Sequence, residues 1–95
     1  MSVYVIAQIQ IHDRDKYSEY EAGFMEIFAS YNGKLLSVEE SPQVLEGDWS
    51  FTRTVLLQFP TGEEAGAWYY SDEYQALAQH RFAASGANIA LINAL

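Results

Sequence analysis

The stretch "VYVIAQIQI", Val3 to Ile11, limits the fold more than any other part of this chain. Its period-two alternation makes it a β-strand, because successive side chains of a strand point to opposite faces. Val3, Val5, Ala7, Ile9 and Ile11 form one wholly apolar side, while Tyr4, Ile6, Gln8 and Gln10 form a mixed side. Such a strand belongs in a sheet whose first face is sealed by other elements. Its second face is neither plain core nor plain solvent surface.

The segments that follow supply the sealing elements. Asp13 is placed to cap a helix, with Asp15 in the first turn favoured by the helix dipole. Tyr17, Tyr20, Phe24, Ile27, Phe28 and Tyr31 recur at spacings of three and four, which predicts a helix over about residues 15–31. Gly33 suits a left-handed cap after its last turn. "KLLSVEE" reads as a second strand, and "SPQVLEGDWS" as a loop with turn residues at Ser41-Pro42 and Gly47-Asp48. "FTRTVLLQF" is a third strand with Phe51, Arg53, Val55, Leu57 and Phe59 on one face and Thr52, Thr54, Leu56 and Gln58 on the other. Thr61 and Glu64 match a capping box before a short helix that carries Ala65, Trp68 and Tyr69 on one side. Ser71 is a fresh N-cap, so the helix should break there before Tyr74, Leu77, Ala78, Arg81 and Phe82 repeat at helical spacing. Ser85-Gly86 ends that helix, and "ANIALINAL" is the last strand.

The order β-α-β-β-α-β predicts an α+β fold of the ferredoxin-like kind: a four-stranded antiparallel sheet with the helices on one face. No linker, repeat or low-complexity segment divides residues 1–95, which form a single domain. A chain this short buries roughly 60–65% of the surface it exposes when unfolded. Yet 49% of its residues are hydrophobic and 15% aromatic, more apolar surface than one modest core absorbs. The uncovered sheet face, with Tyr4, Ile6, Gln8, Gln10, Thr52, Thr54, Leu56 and Gln58, is the place for the excess to go. Two such faces packed together would make a homodimer, a dimeric α+β barrel; the alternative is a monomer with a half-wet sheet, which antiparallel sheets tolerate.

Charge and composition remove several classes of function. Thirteen acids against five bases give a net charge of −8, which disfavours nucleic-acid phosphates and anionic membrane surfaces. The absence of Cys removes disulfides and thiolate chemistry. The first residues lack a basic region and alternate as a strand, unlike a signal peptide, and no apolar run reaches membrane-spanning length, so a cytoplasmic location is expected. No phosphate-binding glycine loop, nucleophile elbow or calcium loop is present, and no cofactor is expected.

"HDRDKYSEY" after the first strand, "YNGK" before the second, "VLEGDW" before the third, "LQFPTGEEAGAWYYSDEYQ" and the Arg81 that follows are similar to the domain-of-unknown-function 1330 family, within the dimeric α+β barrel superfamily. The likeness runs over nearly the whole chain. Its pattern maps onto Asp13, Tyr17, Tyr20, Gly33, Glu46, Gly47, Arg53, Phe59, Pro60, Tyr69, Ser71, Tyr74, Gln75 and Arg81. Asn32 and His12 depart from it, and His80 lies outside it. The resemblance implies the fold and the dimer. It implies no reaction, because the family has none assigned; related barrels include oxygenases, isomerases and haem-degrading enzymes.

Arg53 and Arg81 fall on faces that otherwise read as buried, where a guanidinium needs acceptors. Glu46, in the loop before the third strand, is the natural partner for Arg53. Either these are structural ion pairs, or a guanidinium holds a carboxylate or enolate of a small ligand. Tyr17, Tyr20, Trp68, Tyr69 and Tyr74 are either core or the lining of a mostly apolar pocket. "HDRD" is explained by a loop histidine beside a capping aspartate, and no metal site is expected.

Two function classes remain. In the first, the homodimer binds a small aromatic or carbonyl-containing molecule between sheet and helices through Arg53, Arg81, Trp68, Tyr69, Tyr74, Tyr17 and Glu46. Its enzyme form is a cofactor-independent monooxygenase; Gln8, Trp68 and His80 only loosely echo the amide, Trp and His of haem-degrading barrels. In the second, the dimer is a non-catalytic structural or interaction module whose Arg and Tyr residues are all structural.

Overall fold

A computed structural model describes residues 2–95. The elements run β1 (Val3–Ile11), α1 (Arg14–Phe28), β2 (Lys34–Glu39), β3 (Arg53–Phe59), α2 (Gly62–Tyr69), α3 (Asp72–Ala84) and β4 (Ser85–Asn93). The four strands form one sheet in the order β2-β3-β1-β4, each antiparallel to its neighbours. This is the ferredoxin-like plan expected from the sequence.

Helix caps follow local chemistry. Asp13 accepts the Lys16 N–H at 3.1 Å, Thr61 Oγ1 the Glu64 N–H at 3.1 Å, and Ser71 Oγ the Tyr74 N–H at 3.1 Å. Each satisfies a donor that the first helical turn leaves free. The Ser71 hydroxyl also donates to the Trp68 carbonyl at 2.8 Å, so one side chain ends α2 and starts α3.

Boundaries differ from expectation at four places. The regular helix α1 stops at Phe28; Ser30 and Tyr31 donate to the carbonyls of Ile27 and Phe28, three residues back, so the last turn tightens. Gly33 is not left-handed: among the described residues only Gly47 has a positive φ, 80°. Strand β3 begins at Arg53, because the Thr52 hydroxyl intrudes into the ladder; it accepts the Ile11 N–H at 2.7 Å and donates to the Ile9 carbonyl at 3.0 Å. β4 leaves α3 directly at Ser85, whose hydroxyl donates to the Arg81 carbonyl at 2.8 Å.

The two faces of the sheet separate as the first strand demands. Val3, Val5, Ala7, Ile9 and Ile11 are buried against the helices, with Leu57 and Phe59 of β3 beside them. Phe28, Phe59 and Trp68 pack ring against ring, with centroids 5.6 Å apart in each pair. Phe82 is the exception to the α3 stripe, at 48% exposed. Tyr74, Ala78 and Arg81 fill the inner side at spacings of four and three, and a residue one step past Arg81 turns about 100° outward. The other sheet face carries Tyr4, Ile6, Leu56 and, opposite them in register, Ala90 and Ile92; no helix covers it. Trp49 folds onto this face from the loop and donates to Thr54 Oγ1 at 3.2 Å.

Candidate functional site

Sheet and helices do not meet everywhere. Edge strand β2 is exposed along its length, and beneath α1 and α3 a cavity of about 230 Å³ opens towards it. Its floor is the apolar side of the sheet: Val5, Ala7, Ile9, Val55, Leu57 and Ile89. α1 contributes Tyr17, Tyr20, Glu21 and Phe24; α2 contributes Trp68; α3 contributes Tyr74 and Arg81; β3 contributes Arg53.

The two arginines prove to be different. Arg53 sits at the rim and is held by two carboxylates, Nη1 to Glu40 Oε2 at 2.9 Å and Nη2 to Glu21 Oε2 at 3.2 Å. Its guanidinium also covers the Tyr17 ring, 5.5 Å from the centroid. Glu40 takes a second ion pair from Arg14 at 3.0 Å, and these guanidinium hydrogen bonds lower its pKa. Glu46, the expected partner of Arg53, is exposed in the loop and does not line the cavity. The antiparallel pairing of β2 with β3 delivers Glu40 instead. Glu21 stands one helical turn after Tyr17, on the same face of α1, and that spacing is the signal that could have found it.

Arg81 is 3% exposed and makes no ion pair among the described residues. Its Nε and Nη2 have no hydrogen-bond partner in the protein. The guanidinium lies 5.7 Å from the Tyr20 ring centroid and 4.9 Å from that of Phe82. Burial works against its charge, but the neighbouring hydroxyls of Tyr74 and Tyr20 outweigh this and hold its pKa above the ordinary arginine value. Trp68 Nε1 and Arg53 Nε are likewise buried without a partner. These four nitrogens lie sealed within the walls and find no acceptor in the protein.

Tyr20 and Tyr74 share a hydrogen bond between their hydroxyls at 2.7 Å, deep in the cavity wall. Burial raises the Tyr20 pKa, and the Tyr74 hydroxyl raises it further. Burial likewise pushes Tyr17 up to about 12, partly countered by Arg53. A phenol whose pKa is higher folded than unfolded stays protonated in the native state after the unfolded chain has begun to lose its proton. Its stabilising contribution is whole below about pH 10 and is lost as pH rises towards 12. Urea unfolding between pH 9.5 and 11.5 should show stability falling with pH. Tyr17→Phe should remove up to about 1.4 kcal/mol per pH unit of that slope. An unchanged slope would mean that Tyr17 titrates as an open phenol.

Of the candidate residues, Arg53, Arg81, Trp68, Tyr74 and Tyr17 thus come together around one cavity. Tyr69 stands behind it, its ring 5.9 Å from Trp68 and 5.6 Å from Tyr74, and faces a second groove between α2 and β4. Gln8 and His80 do not join Trp68: Gln8 pairs opposite Thr54 on the free sheet face, and His80 is exposed and pairs with Glu19 at 3.1 Å. The haem-degrading trio is therefore not assembled. His12 is exposed, and Asp13 is occupied as a cap.

Comparison with solved structures matches this fold over 98% or more of the chain. A protein of unknown function from Rhodopseudomonas palustris has a TM-score of 0.83 at 13% identity, over 99% of this chain and 82% of that one. A dimeric ferredoxin-like protein of unknown function from a Jannaschia species has a TM-score of 0.76 at 9% identity, over 99% and 100%. SnoaB, a cofactor-independent oxygenase from Streptomyces nogalater, has a TM-score of 0.73 at 12% identity, over 99% and 93%. No curated protein is similar enough in sequence to match. The sequence motifs, the fold and a match over residues 2–95 agree that the chain belongs to the family described as domain of unknown function (DUF1330).

Proposed function

We propose that this protein is a cytoplasmic homodimer that binds a small aromatic or carbonyl-containing molecule in the cavity between sheet and helices. One observation carries the reading: the buried Arg81 lines a mostly apolar cavity with no carboxylate to balance its charge among the described residues, while its sealed Nε and Nη2 find no partner in the protein. An uncompensated buried charge is costly, and an anionic or electron-rich ligand offsets that cost when it binds. Arg81 is the anchor in this reading. Trp68, Tyr17 and Tyr74 shape the walls, Arg53 with its two carboxylates holds the rim, and Tyr69 backs Trp68. Glu46 has no part at the cavity.

An enzymatic form follows from the same geometry. Arg81 would stabilise an oxyanion, and the Tyr20–Tyr74 hydroxyl pair would donate or relay a proton. The likeness to a cofactor-independent oxygenase supports oxygenation without a cofactor as that form, by analogy of fold. The likeness to a dimeric ferredoxin-like protein supports a dimer, and the uncovered apolar sheet face is where this chain would pair. Against the ligand site stands the non-catalytic module, favoured by the fully paired Nη groups of Arg53.

Arg81→Met separates the two. If Arg81 serves a ligand, Met removes a buried charge that no protein carboxylate balances, and stability in urea should stay within about 1 kcal/mol or rise. Small-molecule mass carried through purification, read by native mass spectrometry, should disappear. A loss of roughly 3–5 kcal/mol, as for a broken buried pair, would make Arg81 structural and favour the module.

A further inference from the structure

The polar atoms of the wall decide the charge of the ligand. Arg81 Nε and Nη2 and Trp68 Nε1 are sealed, so a molecule in the cavity makes no hydrogen bond to them. Arg53 already holds Glu40 and Glu21 through its Nη groups, and the Tyr20 and Tyr74 hydroxyls hold each other. Arg81 therefore acts on a ligand mainly through its field rather than by an ion-paired contact. The titratable groups of the lining are Tyr17, Tyr20, Glu21, Arg53, Tyr74 and Arg81. Tyr17 reports what this wall does to a charge. Arg53 and Arg81 both favour its phenolate, yet burial wins and pushes the phenol up to about 12. Loss of water thus outweighs the pull of two guanidiniums. An anion must also pass the Glu21 carboxylate at the rim of a chain with net charge −8. A cation fares no better, because Glu21 is engaged by Arg53 and the charge of Arg81 is unbalanced among the described residues.

Volume sets the size. A cavity of about 150 Å³ lined by apolar side chains admits benzene, so about 230 Å³ has room for one ring with a short substituent. The floor beneath it, including Ala7, Val55 and Ile89, is apolar and suits the ring. We propose that the ligand is an uncharged one-ring molecule, held by burial of its ring on the apolar side of the sheet, and that a weak acid enters only in its protonated form. This rests on the ligand-site reading above.

4-Nitrophenol tests it, because its neutral and anionic forms absorb at different wavelengths. With the full chain in excess, bound dye should lose its proton about one to two pH units higher than free dye, so that the neutral form binds about tenfold to a hundredfold more tightly than the anion. Isothermal titration with benzyl alcohol and benzoate makes the same comparison without a shared proton, and the alcohol should bind more tightly. Ala7→Leu fills the floor of the cavity and should weaken binding of the neutral dye. A bound dye that titrates at or below the free one would overturn the uncharged assignment and leave the ligand site standing. Binding of neither form at millimolar concentration would overturn both. A folded Ala7→Leu variant that binds as tightly as the wild type would put the dye outside this cavity and overturn the assignment. If Ala7→Leu does not fold, the wild-type titration still decides the matter.

Discussion

Leu56→Asp is expected to turn a dimer into a monomer that keeps its fold. Leu56 lies on the sheet face that no helix covers, opposite Ile6 on β1 and Ser37 on β2. Ile6, Tyr4, Ala90 and Ile92 continue the apolar surface across β1 and β4, and Trp49 lies against Thr54 at its margin. In a face-to-face dimer each Leu56 is buried against the partner sheet. Arg53 points to the helix side, and the cation on this face, Lys34 opposite Gln58, stands at the exposed β2 edge, so a carboxylate at position 56 is not directly paired in the interface. Burying it should cost on the order of 3 kcal/mol or more, which weakens the dimer by roughly a hundredfold or more. In the separated chain the same carboxylate reaches water, so the circular dichroism spectrum should change little. Light scattering at micromolar concentration reads the mass directly. A wild-type monomer would refute the dimer, and a Leu56→Asp variant that still dimerises would place the interface elsewhere.

Gly33→Ala should be the most damaging single-methyl change in the chain, for a reason the sequence does not reveal. The expected left-handed cap is absent. Instead, a Cβ built on Gly33 would lie 2.5 Å from Phe28 Cζ and 2.7 Å from Phe59 Cε1 and Cζ. Both rings are almost wholly buried and locked against Trp68, so neither can swing away. Overpacking of this kind costs roughly 1–3 kcal/mol, or on the order of 4–8 °C in Tm per kcal/mol for a domain this small. Asn separates the two causes. A left-handed cap tolerates Asn, whereas a crowded ring pair makes Gly33→Asn at least as harmful as Gly33→Ala. Phe28→Leu combined with Gly33→Ala should recover part of the loss, and the coupling in that cycle measures the clash. Additive losses would mean that the rings are not what Gly33 makes room for.

The two substitutions also show why some features were legible before any fold was seen. A strand's faces and a helix's stripe are written in periods of two and 3.6, and both are local. Val3 to Ile11, the Tyr17–Phe28 stripe and the caps at Asp13, Thr61 and Ser71 could therefore be read directly. The mixed face of β1 pointed to a surface that wants covering for the same reason. Arg53 and Arg81 could be singled out because a charge in an apolar stripe breaks its period.

Whether those charges are satisfied is not a local property. The Glu40 that holds Arg53 arrives through a strand pairing with a register shift between Leu35 and Ser37, which no alternation specifies; Glu46, equally acidic in sequence, is left outside. The crowding at Gly33 comes from Phe28 and Phe59, residues of two different elements. The Tyr20–Tyr74 hydrogen bond joins residues 54 apart in sequence. By itself the sequence determined the element order, the buried and free faces of the sheet and five of the side chains that line the cavity, Tyr17, Arg53, Trp68, Tyr74 and Arg81. Tertiary structure alone decided that Arg53 is balanced by protein carboxylates and Arg81 is not, because partnering depends on which helix and strand meet, and that meeting is set by packing across the whole sheet.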